Sequence, residues 1–358
     1  MCKIINPAPG NLILLADSIG YGSVASNPPT NSFPPLLCAR LGHALVNHAY
    51  PGTGMLYAGQ KFFTTYNANS AKRGGILVIE AGHNDVLRGN RLSPAKIKNE
   101  LMAILCDWFA ATSVPANAFS YSNAWSTVSG FGEKAVHSAV GGSMLDASSS
   151  GALITGTFSG PNVVLRSFTD DGTAANSLRT IDMWIDDPGT YNPCDRILAG
   201  LDGDFQYDSN PIDAPYSSYS LGHLATPIFN LSLGPHTFGI KSGVPGAGYG
   251  GSGGSICLID TVDTLRPPYL CDPVLIYLPP RPNSYAPFSP ITATDFDNAD
   301  AAIDAAVKVF MDQGYPIAVA DTNAFLAPEN ISPTDHEHPI NAGHYQMTLA
   351  GLEEMRFC

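Results

Sequence analysis

Four short segments of this chain collect the side chains that acyl transfer uses. Asp17-Ser18 closes the apolar run Asn11 to Ala16, with Gly20-Tyr21-Gly22 behind it. Asn47 and Gly52 fall in Asn-His-Ala-Tyr-Pro-Gly-Thr-Gly, after a second run. Gly82-His83-Asn84-Asp85 follows a third, and Asp335-His336-Glu337-His338-Pro339 stands shortly before the C-terminus. A serine hydroxyl becomes a nucleophile when a histidine takes its proton. An aspartate three residues before that histidine can accept the Nδ1 proton and turn Nε2 toward the serine. An asparagine amide and glycine-loop N–H groups suit a developing oxyanion. Read singly, each segment is also an ordinary turn or helix cap. His336, His338 and His344 with Asp335 and Glu337 form a dense set of metal-ligand types. Their spacing is neither H-E-x-x-H nor a zinc pattern, so no metal is expected.

Alternating strands and helices must position these segments. Asn11 to Ala16, Ala44 to Ala49 and Gly75 to Ala81 are short apolar runs of the kind buried on both faces of a parallel sheet. Pro34 to Leu45 predicts a helix with proline at its start, and Ser93-Pro94 opens another to about Phe109. The loop around Tyr50, Met55, Leu56 and Tyr57 carries no helix expectation. From about Ala111 to Asp272 the texture becomes purely β, with runs such as Ala152 to Phe158, Val163 to Phe168, Thr180 to Ile185 and His236 to Lys241 between turn signals. Alternation then resumes with a strand at Pro273 to Leu278, a helix over Asn298 to Gln313, a strand at Pro316 to Ala320 and a last helix from Gly343 to Met355. The economical reading is one α/β domain of about five parallel strands (1–110 and 273–358), interrupted by an antiparallel sandwich (111–272).

Composition narrows the partners. The chain has 358 residues, 44% of them hydrophobic, so a large core is available, and only 14% charged. Eighteen basic against 31 acidic residues give −13, which argues against nucleic acid or an anionic membrane surface. Residues 111–272 hold 6 basic and 15 acidic side chains and so most of that charge. No apolar run approaches a membrane span, and the first residues lack a signal-peptide pattern. Seven cysteines without a C-x-x-C pair do not read as a zinc ribbon or disulfide framework. Gly246-Ala247-Gly248-Tyr249-Gly250-Gly251 satisfies G-x-G-x-x-G, but it sits in a Gly/Ser loop leading into a β-type run and is rejected as a dinucleotide site.

Taken together and in order, the four segments resemble the SGNH (GDSL-type) hydrolase family. Ala16-Asp17-Ser18-Ile19 stands for G-D-S-L, with alanine and isoleucine as mild departures. Gly52 after Asn47 matches the second block, Gly82-His83-Asn84-Asp85 the third, and Asp335-His336-Glu337-His338-Pro339 with Gly343 the last. The resemblance covers roughly 10–110 and 272–358. It implies a flavodoxin-like three-layer sheet, with Ser18 as nucleophile, His338 as base and Asp335 as its orienting partner. Ser18 N–H, Gly52 N–H and the Asn84 side chain would form the oxyanion hole, and no cofactor is needed. The inserted segment looks similar to carbohydrate-binding jelly rolls, and Tyr191, Tyr207, Tyr216, Tyr219 and Tyr249 lie in its loop-like stretches. The expected activity is release of O-acetyl or other short acyl groups from a glycan. Lipid or aryl ester hydrolysis is the alternative within that chemistry, and a virion or surface adhesin such as a phage tail protein is the alternative outside it. Homo-oligomerisation is left open.

Overall fold

The computed structural model describes residues 10–66, 75–87, 93–122, 125–128, 144–147, 151–169, 179–188, 192–193, 222–245 and 258–355. The Gly246–Gly251 motif and all five loop tyrosines named above lie outside them. Contacts divide the chain into two compact units. The first comprises 1–62, 69–101 and 267–358, and the second 63–68 and 102–266.

The first unit begins with strand β1 (Asn11–Ala16), the short helices α1 (Ser18–Tyr21) and α2 (Pro28–Asn31), helix α3 (Phe33–Leu41) and strand β2 (Ala44–Asn47). Helix α4 (Met55–Tyr66), strand β3 (Gly75–Glu80), helix α5 (His83–Leu87) and helix α6 (Pro94–Phe109) follow, with residues 63–66 of α4 and 102–109 of α6 counted in the second unit. Leu12 to Ala16 and Ile76 to Ile79 are at most 2% exposed. Residues buried on both faces explain why these strands read as continuous apolar runs. Helix α4 corrects the expectation of a loop. Its buried residues Met55, Ala58, Phe62 and Tyr66 recur every three or four positions. Gly54, Gly59 and two threonines, all poor helix formers, obscure that stripe in the sequence.

The second unit holds strands β4 (Ala110–Pro115), β5 (Ser120–Tyr121), β6 (Trp125–Val128), β7 (Met144–Ala147), β8 (Leu153–Ser159) and β9 (Val163–Thr169). They are followed by β10 (Arg179–Ile185), β11 (Asn192–Pro193), β12 (Gly222–Ile228), β13 (Pro235–Pro245) and β14 (Leu258–Leu265). One sheet runs β11-β10-β13-β8-β5, the other β12-β9-β14-β7-β6 with β4 paired to β14. Ile154, Met183, Phe238 and Ile240 of the first sheet and Leu145, Val163, Leu165, Ile259 and Val262 of the second share one core cluster. Two antiparallel sheets over a common core make a sandwich. Arg166 is fully buried within this unit. Its Nη1 lies 2.9 Å from Asp107 Oδ1 and its Nε 2.8 Å from Asp260 Oδ2, and its guanidinium stacks 4.9 Å above the Phe63 ring.

Back in the first unit come β15 (Val274–Tyr277), helix α7 (Ala293–Met311), β16 (Ile317–Ala320), the short helix α8 (Thr322–Phe325) and the last helix α9 (Asn341–Glu354). Helix α7 starts five residues before its expected onset because Thr292 and Asp295 form a capping box there. The sheet order is β16-β15-β3-β1-β2, every pair parallel. It is the five-stranded parallel sheet expected from the alternation, with α3 and α9 against one face: Leu12, Leu14, Ile76, Val78, Leu275 and Tyr277 pack with Phe33, Leu37, Met347 and Ala350. Among the described residues, no helix is long and apolar enough to cross a membrane.

Candidate active site

In a parallel sheet the strand ends of one edge gather the connecting loops, and sites form there. β1 ends at Ala16, and Asp17 caps the turn that follows by accepting Ile19 N–H at 2.8 Å. That places Ser18 at the first position of α1, 5% exposed. The loop after β2 is fastened to the same strand, His48 N–H donating to Leu14 O (2.9 Å) and Tyr50 N–H to Ala16 O (3.0 Å). It carries Gly52, buried and at φ +81°, and then Thr53 and Gly54. A Cβ on Gly54 would come within 2.2 Å of Asp85 Oδ1. Asp85 needs that room because its Oδ2 accepts Met55 N–H at 2.7 Å and so fixes the start of α4.

The C-terminal segment is a loop closed on itself by backbone hydrogen bonds, and it leads directly into α9. Ile331 bridges Pro339, Ser332 N–H donates to His338 O (2.8 Å) and His336 N–H to Ser332 O (3.0 Å). His336 takes φ +65°, and its Nδ1 meets Asn283 Oδ1 at 2.8 Å. Asp335 Oδ1 accepts the backbone N–H groups of Glu337 and His338, both at 3.1 Å. Gly343 lets α9 pass under this loop, since a Cβ there would stand 2.5 Å from Asn330 O. Among the described residues no three His, Cys, Asp or Glu side chains are grouped as metal ligands.

The two segments meet across 320 residues. His338 Nε2 lies 2.7 Å from Ser18 Oγ, and His338 Nδ1 lies 3.1 Å from Asp335 Oδ2. Burial pushes the Asp335 carboxyl up, but the N–H groups of Glu337 and His338 and the His338 ring outweigh it and hold it below the ordinary carboxylate value. A carboxylate at Nδ1 leaves Nε2 free to accept the serine proton. Glu337 Oε1 is a second carboxylate at that nitrogen, 3.3 Å away. The sequence reading passed over Glu337 as a member of the carboxylate and histidine cluster.

Asn84 is brought to the site, but with its amide engaged. Nδ2 donates to Asp17 Oδ2 (3.1 Å) and to Thr53 O (2.9 Å), which accounts for both of its hydrogens. An oxyanion must draw one of them away. Asp17 thus links the serine turn to Asn84. Behind it Glu80, fully buried, accepts Gly20 N–H through Oε2 at 3.0 Å and shares a hydrogen bond with the Asp17 carboxyl. Desolvation pushes Asp17 up to about 7, with the charges of Asp85 and Glu337 adding to the rise. Burial first, then Asp17, holds Glu80 well above the carboxylate range. One proton is therefore shared beneath the Ser18 turn.

A second Ser-His-Asp set lies in the sandwich. His236 Nδ1 meets Asp186 Oδ2 at 2.6 Å, and Ser232 Oγ is 3.5 Å from Nε2. The Ser232 carbonyl oxygen, however, is 2.8 Å from the same Nε2. Acceptors at both nitrogens favour a ring that donates from both, and a serine proton then finds no free lone pair there. The Asp186 bond, followed by that of Ser232, raises His236 above its ordinary value. This set is a structural clasp.

No protein-family model matches the chain, and no curated protein matches it. Among solved structures it is similar to a catalytic mutant of an acetylxylan esterase from Geobacillus stearothermophilus, over 99% of this chain and 97% of that one, at 10% identity and a TM-score of 0.42. It is also similar to the native aryl esterase of M. smegmatis, over 98% and 99% of the two chains, at 9% identity and a TM-score of 0.42. A third is a two-domain esterase active on acetylated mannans, co-crystallised with mannopentaose (73% and 92% of the chains, 10% identity, TM-score 0.34). Overlaps this loose transfer no residue role and no substrate. In its four motif blocks, and in the parallel sheet whose strand ends carry them, the chain resembles the SGNH hydrolases.

Proposed function

We propose that the chain is a serine ester hydrolase with Ser18 as nucleophile, His338 as general base and then acid, and Asp335 as the carboxylate that orients it. The observation that carries this reading is the Ser18 Oγ to His338 Nε2 distance of 2.7 Å, with a carboxylate 3.1 Å behind the ring. Ser18 Oγ attacks the acyl carbon while its proton passes to Nε2. The carbonyl electrons collapse back, the ester C–O bond breaks, and Nε2 returns the proton to the leaving alcohol. Water, deprotonated by the same nitrogen, then cleaves the acyl-serine to a carboxylic acid and frees Ser18. Ser18 N–H, Gly52 N–H and the Asn84 side chain are assigned to the oxyanion, Asn84 exchanging one of its present acceptors for it.

The substrate class we assign is a short-acyl, O-acetyl type ester of a glycan. What supports it is the pairing of acyl-transfer geometry with an antiparallel sandwich of the kind that sugar-binding modules use. A serine-reactive phosphonate should label the wild type and leave Ser18→Ala untouched. Ser18→Ala and His338→Ala should each lower kcat by roughly 10⁴-fold or more with the fold intact. An ester panel from two to twelve carbons, followed by acetylated polysaccharides, tests the substrate. Preference for long acyl chains would replace the glycan reading with a lipid one, and full activity of Ser18→Ala would remove the esterase reading itself.

A further inference from the structure

We propose that Glu337 is a positioning residue for His338, a second carboxylate that holds the ring by Nδ1 alongside Asp335. The inference rests on the Ser18–His338 reading and extends it. Nδ1 has one proton and two carboxylate oxygens within reach, Asp335 Oδ2 at 3.1 Å and Glu337 Oε1 at 3.3 Å. The two carboxylates are not equivalent. Asp335 binds the backbone N–H groups of residues 337 and 338 through Oδ1, so half of its carboxylate shapes the loop. Its side chain is 36% exposed, whereas that of Glu337 is 16% exposed. The better-shielded carboxylate is therefore the one the D-x-x-H pattern does not count. Screening by water is weaker there, which favours its pull on the Nδ1 proton and works against the slightly longer distance. The charge of Glu337 also reaches Asp17 beneath the serine, which places it in the field of the site rather than on an outward face. His344 also lies near His338, buried on α9 and lowered to about 4 by burial, then by the His338 charge. It is neutral and leaves the two carboxylates to set the tautomer.

The consequence differs from that of a triad with one carboxylate. Asparagine at 335 keeps both backbone bonds through its amide oxygen but turns an N–H toward Nδ1. With no other acceptor the ring would flip to the wrong tautomer, at a cost of roughly 10⁴-fold in kcat. With Glu337 in place the Nδ1 proton still has a carboxylate, and the productive tautomer survives.

The test is a cycle of Asp335→Asn, Glu337→Gln and the double variant, read by kcat and KM on a small soluble acetyl ester. We expect Asp335→Asn to lose about 10- to 100-fold in kcat and Glu337→Gln only a few-fold, with KM unchanged in both. The double variant should lose roughly 10⁴-fold, more than the product of the two. Proton NMR gives a readout independent of turnover. The downfield Nδ1–H resonance of His338 should persist in each single variant and in Ser18→Ala, and vanish in the double. A 10⁴-fold loss and a missing resonance in Asp335→Asn alone would overturn the role of Glu337, as would a double variant no worse than Asp335→Asn. Should Ser18→Ala instead keep full activity, the esterase reading falls while the resonance still reports on Glu337.

Discussion

Replacing Glu80 with glutamine should change how the parallel sheet responds to pH far more than it changes the fold. Glu80 is fully buried, takes the Gly20 amide through Oε2 and shares a proton with Asp17. Asp17 ionises near 3.8 when free and at about 7 in the fold, chiefly because it is desolvated. A carboxyl whose folded value is raised contributes stability that is complete below the unfolded value, about 4, and lost as pH rises through about 7. For Asp17 that amounts to about 4 kcal/mol across the window. Glutamine is nearly isosteric. Its amide oxygen can keep the Gly20 N–H, and its NH₂ gives Asp17 a donor that no rise in pH removes. Asp17 stays desolvated and keeps its own titration; what glutamine removes is that of Glu80, whose folded value is held well above its unfolded one, and the slope flattens. All three tryptophans (Trp108, Trp125, Trp184) belong to the second unit, so fluorescence would report the sandwich. Hydrogen exchange at Leu12 to Leu15 and Ile76 to Ile79 reports the sheet instead. Between pH 5 and 8 the wild-type opening free energy of these amides should fall more steeply than that of Glu80→Gln, by up to about 1.4 kcal/mol per pH unit. Parallel curves for the two proteins would refute the shared proton.

Four further outcomes follow from the described geometry. Gly54→Ala drives a methyl into Asp85 and should cost about 1–3 kcal/mol in thermal unfolding together with a drop in kcat; a melting temperature and kcat equal to wild type would contradict the close approach. Arg166→Met leaves Asp107 and Asp260 buried without their cation and should destabilise the sandwich by about 3–5 kcal/mol in tryptophan-monitored urea unfolding, a loss under about 1 kcal/mol speaking against the network. His236 contributes stability below its ordinary value near 6.5 and loses it as pH rises through its raised folded value. His236→Gln should therefore weaken the sandwich at pH 5.5 and leave it little changed at pH 9, and an equal loss at both would show the ring to be neutral. Asn84→Ala should lower kcat on a small ester by about 10²–10³-fold with KM near wild type, and unaltered kcat would remove it from the oxyanion assignment.

The strands that carry the site were legible because burial on both faces makes them apolar without interruption, a local property of Leu12 to Ala16 and Ile76 to Ile79. The Asp335 and His338 spacing was legible because it lies within one turn. Three features were not. Helix α4 hides its stripe behind glycine and threonine, and only the room that Gly54 leaves for Asp85 sets where it starts. The pairing of Glu80 with Asp17 joins the ends of two different strands, and nothing near Glu80 in sequence announces it. The clasp of His236 depends on a main-chain carbonyl at Nε2, which no residue type encodes. That same carbonyl is what separates the clasp from the serine–histidine pair at Ser18, so residue types alone could not have ranked the two sets.

The order in which the sheet is assembled bears on how the protein is made. β1, β2 and β3 leave the ribosome early, but the far edge of β3 waits for β15, nearly two hundred residues later. At typical synthesis rates that edge, Leu77 to Glu80, lacks its partner for roughly 10–40 s. An apolar strand edge open for so long invites pairing with other chains, so a chaperone or the rapid closure of the intervening sandwich has to shield it. The histidine arrives later still, 320 residues after the serine. On the serine-hydrolase reading proposed above, a chain still lacking residues 335–338 holds the nucleophile without its base, however well its first three strands have folded. A fragment that stops anywhere between β3 and Asp335 therefore carries the serine alone, and the pair exists only once both halves of the first unit are joined.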